Sequence, residues 1–317
     1  MLQLPAAFFR LIRWPNLVFI FVTQALFYRF VLLPSYLLGG TVIHFEHLLN
    51  TRLFWLLTAS SVLIAAAGYI INDYFDLNID RVNKPERLVV EKLIKRRWTI
   101  IWHWILSGIG VLLGFYVSWK LRNPLIGFGN LGCVVLLWFY STTFKRKLLI
   151  GNVIISLLTA WVIIVLYVCE FQVIAPDNAV YPAFKNILGR IFKYAMVYGG
   201  FAFIISLVRE VVKDIEDMDG DARYGCRTMP IVWGVNVAKV FAGTWLVVLT
   251  GSLIVIQLYA LQTWNWLAVA YCFVLLDLPL LWTLRKLYEA QSKADYHRLS
   301  STIKGVMLVG IVSMIFI

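Results

Sequence analysis

The chain has 317 residues, is 61% hydrophobic and only 15% charged, and carries a formal net charge of +12. Soluble domains are near half apolar and a quarter charged, so an ordinary water-soluble enzyme, a disordered chain and a small disulfide scaffold are excluded. On a soluble protein the basic excess would point to nucleic acid. On a chain this apolar it points to charge sorted between the two faces of a membrane, and no nucleic-acid partner is expected.

A helix needs about 20 apolar residues to cross the hydrocarbon core. Nine stretches meet that length: residues 14–38, 53–72, 99–119, 124–143, 150–169, 189–208, 235–259, 264–284 and 300–317. The first contains Arg29 and Pro34, which leave its outer end open. The connections alternate between two sides. One side, residues 1–13, 73–98, 144–149, 209–234 and 285–299, carries 20 of the 29 Lys and Arg. The other side, residues 39–52, 120–123, 170–188 and 260–263, carries only Arg52, Lys120, Arg122 and Lys185. The positive-inside rule makes the first side cytoplasmic. The N-terminus is then inside and, after nine spans, the C-terminus outside. The expected fold is an all-α integral membrane protein, with the whole of residues 1–317 as one domain. Span two leads into an acidic window and span four into a basic turn, Lys145-Arg146-Lys147; spans six and eight repeat that order, with Arg285-Lys286 as the second basic turn. A pseudo-repeated four-plus-four bundle with a ninth helix accounts for it. Cys133, Cys169, Cys226 and Cys272 lie in or near apolar segments, without disulfide or zinc spacing.

Nine of the 17 acidic residues fall in two windows, each at the cytoplasmic end of a span: Asp73, Asp76 and Asp80, then Glu210, Asp214, Glu216, Asp217, Asp219 and Asp221. On a helix, Asn72, Asp76 and Asp80 share one face, and Asp73 lies within reach of Asp76. Carboxylates so gathered at a membrane boundary are costly without a cation. In the second window an EF-hand loop would need Gly and Glu where Ala222 and Thr228 stand. A helix instead aligns Asp214, Asp217 and Asp221. Two carboxylate clusters of this kind suit Mg²⁺, which takes one or two carboxylates plus substrate phosphates. Arg81, Lys84 and Arg87, then Lys145, Arg146 and Lys147, then Arg209 and Lys213, stand where a diphosphate would need cations. Membrane topology alone accounts for the same charges.

Asn72-Asp73-x-x-Asp76-x-x-x-Asp80, followed by Arg81-x-Asn83-Lys84-Pro85-x-Arg87, resembles the first aspartate-rich motif of the UbiA superfamily of intramembrane prenyltransferases. Asp217-x-x-x-Asp221-x-x-x-Gly225, with Lys213-Asp214 before it, resembles the second. Arg13-Trp14-Pro15-Asn16, and Tyr140-Ser141 running through Lys145-Arg146 to Gly151-Asn152, are similar to further family elements. The resemblance covers essentially the whole chain. It implies a nine-helix bundle and Mg²⁺-dependent transfer of a prenyl group from an isoprenyl diphosphate to a lipophilic acceptor. Asn72, Asp76 and Asp80 would bind one Mg²⁺, and Asp217 and Asp221 the other. Asp76, Asp80, Asp217, Asp221 and Lys145 are implied as catalytic. Asn16, Asn72, Arg81, Lys84, Arg87, Arg146, Lys213 and Asp214 are implied as substrate-binding. The string from Arg209 to Asp221 is most similar to the digeranylgeranylglyceryl phosphate synthase-like branch, which alkylates geranylgeranylglyceryl phosphate. The family often continues after Arg87 with a Pro-containing, Ser-Gly stretch, whereas this chain reads Leu88-Val89-Val90-Glu91-Lys92-Leu93-Ile94-Lys95-Arg96-Arg97, a departure that bears on the acceptor.

Mg²⁺ and Lys/Arg would neutralise the departing diphosphate. Aromatic faces would suit the allylic cation, and Tyr69, Tyr74, Phe75, Tyr140 and Phe144 lie nearest the motifs. Lys92, Lys95, Arg96 and Arg97 suit either a phosphate-bearing acceptor or anionic lipid headgroups. The alternatives are a quinone-pathway enzyme with an aromatic acceptor (4-hydroxybenzoate or dihydroxynaphthoate) and, from another class, a transporter. A transporter predicts functional charge at mid-membrane, where Asp277 of span eight is the residue to watch. The location expected is a bacterial or archaeal cell membrane, with the site on the cytoplasmic side.

Overall fold

The computed structural model of the chain describes residues 3–37, 48–83, 85, 88–171, 181–262 and 264–317. The described residues are helical almost throughout. No strand occurs among them, only an isolated bridge between Val90 and Ile94. A short helix α1 (Gln3–Leu11) leads into α2 (Trp14–Leu26), which passes through a π-helical turn (Phe27–Leu32) into α3 (Leu33–Leu37). Then come α4 (Thr51–Asn83), α5 (Arg96–Lys120), α6 (Pro124–Thr142), α7 (Ile150–Glu170), α8 (Tyr181–Glu216), α9 (Met218–Arg223), α10 (Met229–Val232) and α11 (Val235–Gln262). A second π-helical turn, Phe273–Asp277, joins α12 (Trp266–Cys272) to α13 (Leu278–Glu289), and α14 (Lys293–Val312) follows. Nine helical stretches among the described residues are long and apolar enough to cross a membrane. The protein is an integral membrane protein.

Two of these helices outrun their apolar stretches. α4 continues from residue 72 to Asn83, about three further turns, and α8 continues from residue 208 to Glu216, about two. The extensions stay helical because they keep an inward apolar face: Leu77 and Ile79 are buried on α4, and Val211, Val212 and Ile215 on α8. Asp73, Asp76 and Asp80 ride on the first extension, and Glu210, Asp214 and Glu216 on the second.

The chain forms two compact units, one of residues 1–143 and 161–197, the other of 144–160 and 198–317, so that α7 and α8 contribute to both. In the first unit, Ala7, Leu11, Leu17, Ala66, Ile70 and Leu77 share a core with Val89, Val90 and Ile94 of the segment after α4. That segment, which departs from the expected Pro and Ser-Gly pattern, is a closed turn. Glu91 N–H donates to Ile94 O (2.8 Å), Leu93 N–H donates to Val89 O (2.9 Å), and Glu91 takes the left-handed conformation (φ 65°) that closes it. Deeper in the unit, Ser60 donates to Gly110 O (2.6 Å) and accepts from Asn130 Nδ2 (2.9 Å), while Trp161 Nε1 donates to Asn130 Oδ1 (3.3 Å). Such bonds, made between closely approaching small residues, hold membrane helices together where no hydrophobic effect drives them. At the end of α7 the fully buried Glu170 accepts from Tyr36 Oη and from the Leu48 and Leu49 N–H groups (2.5, 3.0 and 3.0 Å). In the second unit, Val208, Val211, Leu246, Leu280, Leu299 and Ile303 lie in one core. The buried Lys239 of α11 donates to the Tyr288 and Ala290 carbonyls, a cation at the negative end of α13.

A Cβ placed on Gly129 would lie 2.3 Å from the Trp161 ring, whereas one on Gly132 of the same helix would meet nothing within 4 Å. Gly129→Ala is expected to destabilise the protein by about 1–3 kcal/mol, as overpacked cores do. Gly132→Ala is expected to be near neutral. Melting of both variants in one detergent checks this, and equal melting temperatures would contradict it.

Candidate active site

The first acidic window occupies the last three turns of α4, as its spacing predicted. Asp76 is buried and accepts from Asn72 Nδ2 (2.7 Å), one turn back on the same face. The Asn72 Oδ1 atom is itself buried and has no hydrogen-bond partner. A buried carbonyl oxygen left unmatched is costly, and here it stands beside a buried carboxylate. An all-oxygen pair of this kind fits a hard cation such as Mg²⁺. Asp80 is half-buried on the following turn. Arg13, in the left-handed conformation (φ 51°) between α1 and α2, reaches Asp73 with a 2.6 Å ion pair and stands over the Tyr69 ring at 5.2 Å. The negative field of Asp73, reinforced by Tyr69 and Asp80, raises the Arg13 guanidinium further above its already high value, so it stays charged at any working pH. The Asn16 N–H bonds back to Arg13 O (2.8 Å), which puts Asn16 in the turn that aims Arg13.

The second window breaks where the spacing predicted one helix. α8 ends at Glu216 and Asp217 stands at the N-cap of α9, so Asp214 lies on α8 and the buried Asp221 on α9. The break is slight. Asp217 N–H still donates to Lys213 O (2.9 Å) and Asp221 N–H to Asp217 O (3.2 Å), which keeps the four-residue step. Asp214 accepts from Asn152 Nδ2 of α7 (2.8 Å) and lies within electrostatic reach of Glu210 and Asp221. Glu210 is held between Arg209 (3.0 Å) and Lys213 (3.1 Å) and feels Lys145. The basic turn Phe144–Arg146 packs against the start of α7. A Cβ on Gly151 would meet Phe144 O at 3.0 Å and the Lys145 Cα at 3.1 Å, so only glycine lets the two approach this closely. Arg227 N–H donates to Arg146 O (2.8 Å), tying the segment after α9 to the same turn.

Each unit thus assembles part of the expected set. Asn72, Asp76, Asp80 and Asn16 gather in the first unit, and Lys145, Arg146, Lys213, Asp214, Asp217 and Asp221 in the second. Lys84 and Arg87 lie outside the described residues. Arg81 is exposed and paired with Glu91 (2.7 Å), which engages it with the turn after α4. Among the described residues no three His, Cys, Asp or Glu side chains converge closely enough to hold a metal by themselves. Mg²⁺ here would complete its shell with Asn72 Oδ1, water and substrate phosphate. Of the aromatic residues near the motifs, Tyr69 faces Arg13, Tyr74 faces Arg96 (4.4 Å) and Phe144 faces Lys147 (5.5 Å), so these rings already carry the protein's own cations. Asp277 of the second π-helical turn accepts from Gln257 Nε2 (2.5 Å) within the second unit. The roles of Arg13 as partner of Asp73, of Asn152 as partner of Asp214, and of His297, whose Nδ1 meets the buried Glu216 at 2.8 Å, were not legible in chain order. Only the Arg13-x-x-Asn16 and Gly151-Asn152 strings hinted at the first two.

Replacing Arg13 by Gln and Asp73 by Asn, singly and together, measures the tie between the N-terminal segment and the first window. The pair is partly exposed, so a coupling of about 1 kcal/mol is expected from melting of the four proteins. Strictly additive effects would show that the pair contributes nothing.

The profile of the UbiA prenyltransferase family matches residues 32–306. The digeranylgeranylglyceryl phosphate synthase of Methanosphaera stadtmanae is 26% identical over 92% of this chain and 94% of its own length. That of Methanothermobacter thermautotrophicus is 31% identical over 62% of each chain. A solved structure, described as giving insight into digeranylgeranylglyceryl phosphate synthase in membranes, superposes over the whole of both chains with a TM-score of 0.64 at 23% identity. A UbiA homologue from Archaeoglobus fulgidus, bound to DMAPP and Mg²⁺, shares the fold with a TM-score of 0.55 at 13% identity, over 97% of this chain and 98% of its own. With its two aspartate-bearing helix ends and, among the described residues, nine apolar helices, the chain belongs to the UbiA prenyltransferase family.

Proposed function

We propose that this prenyltransferase moves a geranylgeranyl group from geranylgeranyl diphosphate to the free hydroxyl of geranylgeranylglyceryl phosphate, forming a second ether bond with the whole chain acting as one catalytic domain. The observation that carries prenyl transfer is the buried Asn72–Asp76 oxygen pair at a helix end, whose unmatched carbonyl oxygen calls for a cation. The acceptor is supported by the names of the relatives that align over most of the chain.

Bound Mg²⁺ would supply Lewis-acid neutralisation of the diphosphate as it leaves. Asn72, Asp76 and Asp80 would hold one ion and Asp217 and Asp221 the other. Asp214, kept in place by Asn152, would orient a water or a phosphate group of the substrate. Lys145, Arg146 and Lys213 add fixed positive charge where negative charge grows as the C1–O bond of the allylic diphosphate breaks. The acceptor hydroxyl oxygen forms the new C–O bond and gives up its proton, and pyrophosphate departs. Asn16 acts through the Arg13 turn. Lys84 and Arg87 extend the basic set. Burial within the helices keeps water from the allylic centre, which would otherwise be hydrolysed. The acidic helix ends face the cytoplasm, because the basic connections lie on their side of the membrane. The chain resides in the cell membrane, as its archaeal relatives suggest.

Labelled geranylgeranyl diphosphate, offered to the purified protein with geranylgeranylglyceryl phosphate, 4-hydroxybenzoate or dihydroxynaphthoate, tests the reading. Transfer to the glyceryl phosphate alone is expected, abolished by EDTA and restored by Mg²⁺. Asp76→Ala and Asp217→Ala are each expected to lower kcat by at least about 100-fold, the scale of a lost transition-state electrostatic contact. Transfer only to an aromatic acid would overturn the acceptor, and full activity in both variants would overturn the site.

A further inference from the structure

On the first unit, α1 and the start of α5 enclose a groove of about 640 Å³ lined by Leu4, Phe8, Phe9, Trp98 and Trp102, with Lys95 at its rim. Phe9, Trp98 and Trp102 are exposed, although each is a large apolar side chain. Trp and Lys beside open apolar surface are the residues of a membrane–water interface, the ring in the acyl boundary and the ammonium at the headgroups. The charge is one-sided. Lys92, Lys95, Arg96 and Arg97 cluster where α5 begins, and Arg10 is exposed on α1. Residues 3–13 contain no acid, and residues 88–120 contain only Glu91, which Arg81 already engages at 2.7 Å. The cations also crowd the positive end of a helix dipole, with no side-chain cap from Lys95. Arg96 is drawn over Tyr74, which leaves Lys92, Lys95 and Arg97 exposed to find their counter-charge elsewhere.

We infer that this groove binds a membrane lipid with an anionic phosphate headgroup, one chain lying against Phe9, Trp98 and Trp102 and the phosphate on Lys95 with Lys92 and Arg97. Charge complementarity selects an anionic headgroup, and the aromatic lining selects a hydrocarbon chain. Both walls continue into the first acidic window. α1 leads into Arg13, which holds Asp73, and α5 begins at Arg96, which covers Tyr74. A bound lipid therefore braces the two supports of that window from outside the catalytic set, and the inference stands whichever acceptor the enzyme uses.

Native mass spectrometry of the detergent-purified full chain, titrated with phosphatidylglycerol or phosphatidylcholine of matched chains, tests this. One phosphatidylglycerol per protein is expected to be retained at least about tenfold better than phosphatidylcholine, and the preference is expected to vanish in the Lys92→Gln/Lys95→Gln/Arg97→Gln variant. A photoactivatable phosphatidylglycerol on the unaltered protein is expected to label residues 3–11 and 93–102. Equal retention of the two lipids, a preference unchanged in the triple variant, or labelling confined to other helices would overturn the inference. Displacement of the retained lipid by equimolar geranylgeranylglyceryl phosphate would also overturn it, by giving the groove to the acceptor.

Discussion

A carboxylate cannot stay in hydrocarbon without a partner, and the rest of this protein is arranged around that cost. Two helices carry most of the acids of the two windows, and both are longer than a membrane crossing requires. The additional turns lift Asp73, Asp76 and Asp80, and Glu210, Asp214 and Glu216, away from the apolar stretch while keeping them on rigid helical backbone. A site on helix is held more tightly than one on loop, and transfer of a reactive allylic group demands that precision.

Several acids at the boundary are matched within their own unit, most of them from another element. Asp73 takes Arg13 from the turn before α2, Asp214 takes Asn152 from α7, Glu210 takes Arg209 and Lys213 from its own helix, and Glu216 takes His297 from α14. Asn72 and Asp76 satisfy each other only in part, since the Asn72 carbonyl oxygen is left over. That oxygen, buried beside a buried carboxylate, is what the expected cation would use.

The segment after α4 shows a packing role replacing a local one. Where the resemblance leads one to expect proline, serine and glycine, this chain places Val89, Val90 and Ile94, which are buried in the first core, and a left-handed Glu91 that closes the turn. The basic residues next to it are thereby presented on the outer surface.

The sequence by itself determined the membrane class, the nine spans and the two acidic windows. Hydropathy runs of 20 residues and carboxylates spaced by three and four are local properties, set by neighbours along the chain. The helical face of Asn72, Asp76 and Asp80 was legible for the same reason. The break at Asp217 was not, because a helix of this spacing and a helix interrupted at one residue share the same periodicity. Nor were the partners legible: Arg13 lies 60 residues from Asp73, Asn152 lies 62 from Asp214, and His297 lies 81 from Glu216. The rings of Tyr69, Tyr74 and Phe144 read as candidates for an allylic cation until packing set Arg13, Arg96 and Lys147 against them. Only the tertiary structure decided these pairings. Which cation meets which carboxylate or ring depends on how helices pack, and no periodicity along one chain encodes the contact between two.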